Sequence, residues 1–181
     1  MLFKTLGDKS APAVLFFHAM GVTGESSGPV AAELADRFFC VMPTSTVYCA
    51  GQTYADKADE VRQIKEFLRG QGVERVEMVV AAGKALSYGN IRRQMADSLE
   101  DKPFPPLPEK LQEHTYFEFG SKEEHFKYRQ AVMEAYPCGH YPVFEGYNHM
   151  QYQIRDPKGF AEMLAHIAER DCMPELPFIR K

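Results

Sequence analysis

A chain of 181 residues that is 45% hydrophobic carries enough apolar material to bury one good core. Its formal net charge of −4 comes from well-mixed acids and bases, which excludes the electrostatic footprint of a nucleic-acid binder or of a protein held on an anionic membrane. No apolar run approaches the length of a membrane span and the N-terminus lacks a signal peptide's apolar centre, so a cytoplasmic protein with no membrane partner is expected.

The first firm strand is Ala13 to His18, whose five apolar residues in a row after Pro12, followed by the turn His18-Ala19-Met20-Gly21, read as buried on both faces. A helix is expected over about Pro29 to Arg37, then a strand from Phe38 to Met42 and a loop from Pro43 to Gly51. A long helix follows from about Tyr54 to Leu68, with Val61, Ile64, Phe67 and Leu68 on one face. Val76 to Ala81 is the next strand, leading into Ala82-Gly83-Lys84-Ala85-Leu86. Ile91, Met95 and Leu99 recur every four residues along a helix from Asn90 to Leu99, for which Ser87 is placed as an N-cap. The proline-rich piece from Lys102 to Pro108 breaks regular structure and reads as a rigid connector.

Thr115 to Phe119 is a strand ending at Gly120, and Glu123 to Tyr136 a helix for which Ser121 and Glu124 fit a capping box. Tyr141 to Phe144 is a short strand that runs into a glycine-bearing loop presenting His149. The last helix opens with Pro157 in its first turn, where a missing N–H costs nothing. Strands alternating with helices predict an α/β fold, three layers deep, with a mostly parallel sheet and helices on both faces.

The segment Phe144 to Tyr152 followed by Asp156 to Leu164 resembles the last strand, histidine loop and last helix of α/β-hydrolases of the esterase and lipase type. The turn His18-Ala19-Met20-Gly21 is similar to the His-Gly-x-x turn of the same family, with Ala19 where glycine is usual. The resemblance implies that His149 is the general base of a nucleophile–His–acid triad and that Met20 lends a backbone N–H to the oxyanion hole. It implies an acid about three residues past Gly120, which is Glu123, with Glu124 the alternative; a carboxylate there holds the imidazole tautomer. The nucleophile elbow G-x-S-x-G is where the chain departs from the pattern. Ala81-Ala82-Gly83-Lys84-Ala85 fits the register with Gly83 in the serine's place, whereas Ala85-Leu86-Ser87-Tyr88-Gly89 supplies a serine about six residues after the strand. Ser87 is therefore both the candidate nucleophile and a helix cap.

The shortfall in length falls in the middle, so the resemblance implies one shortened domain over 1–181, lacking the sixth strand and most of the cap, with 82–110 a cap remnant and connector. The expected sheet order is Phe38–Met42, Ala13–His18, Val76–Ala81, Thr115–Phe119 and Tyr141–Phe144, all parallel. The readings that remain open are hydrolysis of a small-molecule ester or other acyl substrate, and a descendant without a nucleophile that binds a ligand or partner or is simply an inactive truncated relative. If the strands beside the gap fail to close up, Val79, Val80, Phe117 and Phe119 are candidates for exposure, and a homodimer is expected to bury them. Cys40, Cys49, Cys138 and Cys172 form no C-x-x-C pair and are expected as reduced thiols. The six histidines lack ligand spacing, so neither a metal nor a cofactor is expected. His125, His140 and His166 need no role, and His18 is expected to shape its turn without exchanging protons.

Overall fold

In the computed structural model, which describes residues 1–19, 21–81 and 107–180, the chain divides into two units, Met1–Glu100 and Asp101–Lys181. The first holds β1 (Leu2–Leu6), β2 (Ala13–Phe17), α1 (Gly28–Leu34), β3 (Phe39–Thr44), α2 (Lys57–Gly70) and β4 (Val76–Ala81). Its sheet runs in the order β1-β3-β2-β4, with β2 parallel to both β3 and β4 and with β1 antiparallel to β3. Continuous apolar runs make β2 and β3 suited to the centre of this sheet, because alternate side chains point to opposite faces and both faces are covered. Ala13, Leu15, Phe39 and Val41 pack with Ile64 and Leu68 of α2. Val14, Phe16, Cys40 and Met42, pointing the other way, are equally buried, and α1 lies against β3. Desolvation pushes the Cys40 thiol up to about 12, so it behaves as a small core hydrophobe.

Local chemistry sets where α2 begins. The Asp56 carboxylate accepts a hydrogen bond from the Asp59 N–H at 2.7 Å, an N-cap that satisfies one of the orphan donors of the first turn. The helix therefore starts at Lys57, three residues later than the expected Tyr54, and Tyr54 lies fully buried ahead of it. Arg62 pairs with Asp59 one turn back and with Glu66 one turn on, which ties the exposed face.

The second unit contains α3 (Glu109–Gln112), β5 (Phe119–Gly120), a 3-10 turn over Glu124–Tyr128 that continues into α4 (Arg129–Ala135), β6 (Val143–Phe144), α5 (Gln151–Arg155), α6 (Pro157–Arg170) and β7 (Ile179–Arg180). β6 pairs in parallel with β5 and antiparallel with β7. Asp156 caps α6 by accepting from the Gly159 N–H at 2.8 Å, beside Pro157 in the first turn. The helix buries Phe160, Ala161, Met163, Leu164, Ala165 and Ile167, the stripe a 3.6-residue period requires.

Three expectations are corrected. The order Phe38–Met42, Ala13–His18, Val76–Ala81 is as expected, but it does not continue into Thr115–Phe119. Among the described residues β4 pairs with β2 alone, and β5 and β6 belong to a second sheet. The backbone from Thr115 to Ser121 spends its hydrogen bonds on the segment from His140 to Phe144, through Phe117 N–H to His140 O, Phe119 N–H to Pro142 O and Ser121 N–H to Phe144 O. Next, the ladder is regular over only two residues, Phe119–Gly120, with an isolated bridge from Tyr116 to His140. Last, the helix expected from Glu123 to Tyr136 is two pieces, a 3-10 turn and a short α-helix. The helix expected from Asn90 to Leu99 lies outside the described residues. β1, α3, α5 and β7 have no counterpart among the elements expected from the sequence, being short or only partly buried.

Candidate active site

The strongest constellation in the second unit grows from Gly120. A Cβ at this position would stand 2.5 Å from the Tyr147 carbonyl oxygen and 2.9 Å from that of Asn148, so only glycine lets the loop after β6 lie against the loop after β5. The two loops are then stitched together. The Lys122 N–H donates to the Tyr147 carbonyl at 3.0 Å, and the Gly146 N–H donates to Ser121 Oγ at 2.9 Å. Gly146 sits at φ 83°, a left-handed conformation that glycine adopts without strain. Ser121 is thus occupied by the histidine loop rather than by a capping box, and the N-cap position, Glu123, makes no side-chain capping bond.

That stitching carries Glu123 to His149. Glu123 Oε2 lies 2.9 Å from His149 Nδ1; the glutamate side chain is 4% exposed and the imidazole 50% exposed. A carboxylate can only accept, so Nδ1 carries the hydrogen and the basic lone pair of the neutral ring is on Nε2. A desolvated carboxylate also stabilises the imidazolium that forms when Nε2 takes a proton. Such a pair has the chemistry to serve as a general base with an orienting acid. Glu124 is exposed and opens the 3-10 turn, whereas Glu123 is buried, so the two candidate acids separate clearly in position.

Just upstream, the Tyr116–Phe119 segment alternates. Phe117 stacks on Tyr136 and Tyr141, and Phe119 meets Phe126 edge-on, which directs Tyr116 and Glu118 the other way. Glu118 is half-buried, interacts electrostatically with Tyr152, and has its carboxyl pushed up to about 7 by desolvation. Burial likewise pushes the Tyr152 hydroxyl up to about 12; its ring packs with Phe144, Tyr147, Phe160 and Phe178. Sequence reasoning missed Glu118, although a single acid inside a run of aromatic residues was the available signal.

In the first unit, His18 at the end of β2 is buried. Its Nε2 accepts from the Ser45 N–H at 3.1 Å, and Nδ1 donates to the Ala19 carbonyl at 2.9 Å. An amide N–H only donates and a carbonyl only accepts, so the ring is held as the neutral Nδ1–H tautomer. Met20, Gly83 and Ser87 lie outside the described residues. His140 is exposed and stacks on Tyr116, while His166 Nε2 lies 3.6 Å from Cys172 Sγ on the surface. Among the described residues no group of three His, Cys, Asp or Glu side chains is placed to hold a metal ion. No helix among them is long and apolar enough to cross a membrane.

No protein-family profile matches the sequence, and no curated protein is detectably similar to it. Solved structures do match. A marine microorganism esterase aligns at TM-score 0.60 and 13% identity, covering 91% of this chain and 98% of that one. A putative α/β hydrolase family protein from Desulfitobacterium hafniense aligns at 0.63 and 12% identity, covering 92% and 99%. An esterase from Exiguobacterium antarcticum gives 0.62 and 12%, covering 92% and 94%. At this identity the likeness establishes the fold: the chain has a shortened α/β-hydrolase fold.

Proposed function

We propose that the chain is a hydrolase of carboxylic esters or similar acyl substrates in which His149 is the general base and Glu123 its orienting carboxylate. The observation that carries this reading is the 2.9 Å contact between a half-exposed imidazole and a carboxylate almost wholly removed from water. Structural neighbours that are esterases support the choice of acyl substrates. In this mechanism Ser87 Oγ attacks the ester carbonyl carbon and its proton passes to His149 Nε2. The oxyanion is held by backbone N–H groups near Met20. Collapse expels the alcohol, which takes the proton back from His149, and a water deprotonated by the same nitrogen then releases the acid and frees Ser87. Glu123 stays ionised throughout and keeps Nδ1 protonated.

Gly83 at the serine's place in the elbow register favours a second reading, a descendant that binds a ligand or partner without catalysis. A fluorophosphonate probe with mass mapping, run beside hydrolysis of a p-nitrophenyl ester, separates the two. The catalytic reading expects a covalent adduct on Ser87 and turnover that falls about a thousandfold or more in His149→Ala. Absence of both adduct and turnover in the folded protein overturns it in favour of the binding reading.

A further inference from the structure

Glu60, half-buried on α2, reaches the loop at the end of β3 with its hydrogen bonds. Its Oε1 accepts from Ser45 Oγ at 2.6 Å, from the Thr46 N–H at 2.8 Å and from Thr46 Oγ1 at 2.8 Å. Charge-assisted bonds of this kind are about twice as strong as neutral ones, and three converge on one oxygen. Ser45 and Thr46 are themselves buried. Ser45 has no donor left over: its hydroxyl is committed to Glu60 and its N–H to His18 Nε2 at 3.1 Å. The other His18 nitrogen holds the Ala19 carbonyl at 2.9 Å. The same turn delivers Tyr48, whose N–H donates to the Ser45 carbonyl at 2.9 Å and whose hydroxyl accepts the Gly21 N–H at 3.0 Å. The Tyr48 ring also meets His18 edge-on at 5.4 Å. Two chains of contacts therefore leave Glu60 and end on the two peptide groups, Ala19 C=O and Gly21 N–H, that bracket Met20.

We propose that Glu60 is a positioning residue for the oxyanion turn, fixing Ala19 through Ser45 and His18 and fixing Gly21 through Tyr48. The proposal rests on the hydrolase reading for its catalytic consequence but not for its structural one. Preorganised backbone donors act because they need not reorganise as charge develops on the substrate oxygen. A clamp on both flanks of the donor supplies that preorganisation. Glu60 touches no substrate, so its loss alters transition-state binding and leaves substrate binding nearly intact.

The test uses the full chain labelled with 15N, comparing wild type with Glu60→Ala, Glu60→Gln and Ser45→Ala. In wild type the imidazole nitrogens of His18 should show a fixed Nδ1–H tautomer with Nε2 as acceptor. In Glu60→Ala that signature should collapse toward an exchanging mixture, and the Gly21 amide resonance should shift. The kcat for ester hydrolysis should fall roughly tenfold to a hundredfold with KM within about twofold. Glu60→Gln keeps a carbonyl oxygen for the three donors and should restore most of the loss, which a purely electrostatic role would not predict. Unchanged His18 and Gly21 resonances in folded Glu60→Ala overturn the proposal, as does an unchanged kcat in an active enzyme. If Glu60→Ala does not fold, Ser45→Ala decides by the same two readouts. If wild type neither turns over ester nor takes the phosphonate label, the hydrolase reading has failed, and the His18 and Gly21 spectra alone decide whether the clamp exists.

Discussion

Glu118 holds a proton in the folded chain that the unfolded chain gives up at mildly acidic pH. Desolvation pushes its carboxyl from 4.5 up to about 7 in the folded protein. Between those values the folded state keeps a proton that the unfolded state has released, so the free energy of unfolding falls as pH rises through this window. The loss is on the order of 3 kcal/mol once pH passes the folded value. Glu118→Gln removes the titration. Its melting temperature should change less than that of wild type between about pH 5 and pH 7.5, with the variant more stable at the upper end; parallel melting curves across that range would refute the assignment. At this scale the sequence was informative where spacing constrains chemistry. Gly120 with Glu123 three residues on, and one histidine in a glycine-bearing loop, single out two side chains that lie 2.9 Å apart. Glu60 was invisible, because an acid on a mixed-charge helix face looks like solvated surface until the loop from Ser45 to Tyr48 is folded onto it.

The histidine loop depends on how closely two segments of backbone can approach. A Cβ at Gly120 would press on the Tyr147 carbonyl and on Asn148, both backbone groups that cannot rotate aside. Gly120→Ala should therefore displace the loop carrying His149 and cost about 1–3 kcal/mol. Denaturant unfolding checks the stability. The imidazole nitrogen spectrum of His149 checks the geometry, because its bond to Glu123 should weaken while the rest of the second unit stays folded. A variant of wild-type stability with an unaltered His149 spectrum would show that the loop can yield. Long elements were legible in the sequence and short ones were not. β4 spans Val76–Ala81 as the apolar run requires, and α6 opens at Pro157 behind its Asp156 cap. The aromatic run Thr115 to Phe119 looks like a full strand, yet most of its side chains are held by ring contacts with Tyr136, Tyr141, His140 and Phe126, and only Phe119–Gly120 keeps a regular ladder. Periodicity cannot distinguish those two ways of burying the same residues.

The first unit's sheet exposes large apolar side chains on both outer strands, Leu2 on β1 and Val79 on β4. Val79 is 57% exposed, Val76, Met78 and Val80 are half-buried, and among the described residues β4 has a partner strand on one side only. Of the four residues expected to be uncovered beside the gap, Val79 is the exposed one; Phe119 is buried, and Val80 and Phe117 are intermediate. An edge strand without proline or lysine offers unpaired N–H and C=O groups to another strand of like character. We propose that a second copy of β4, running antiparallel, pairs there symmetrically, since a two-fold interface uses one surface twice. Each valine removed from water at such an edge is worth about 1.5–3 kcal/mol, so one substitution per chain acts twice in the dimer. The expected state is therefore a homodimer at micromolar concentration in sedimentation equilibrium, converted to monomer by Val79→Lys, which puts a charge where the two strands would meet. A monomeric wild type removes the need for any partner at β4. A dimer indifferent to Val79→Lys places the contact elsewhere and leaves Val79 as an isolated exposed hydrophobe, which a folded surface tolerates.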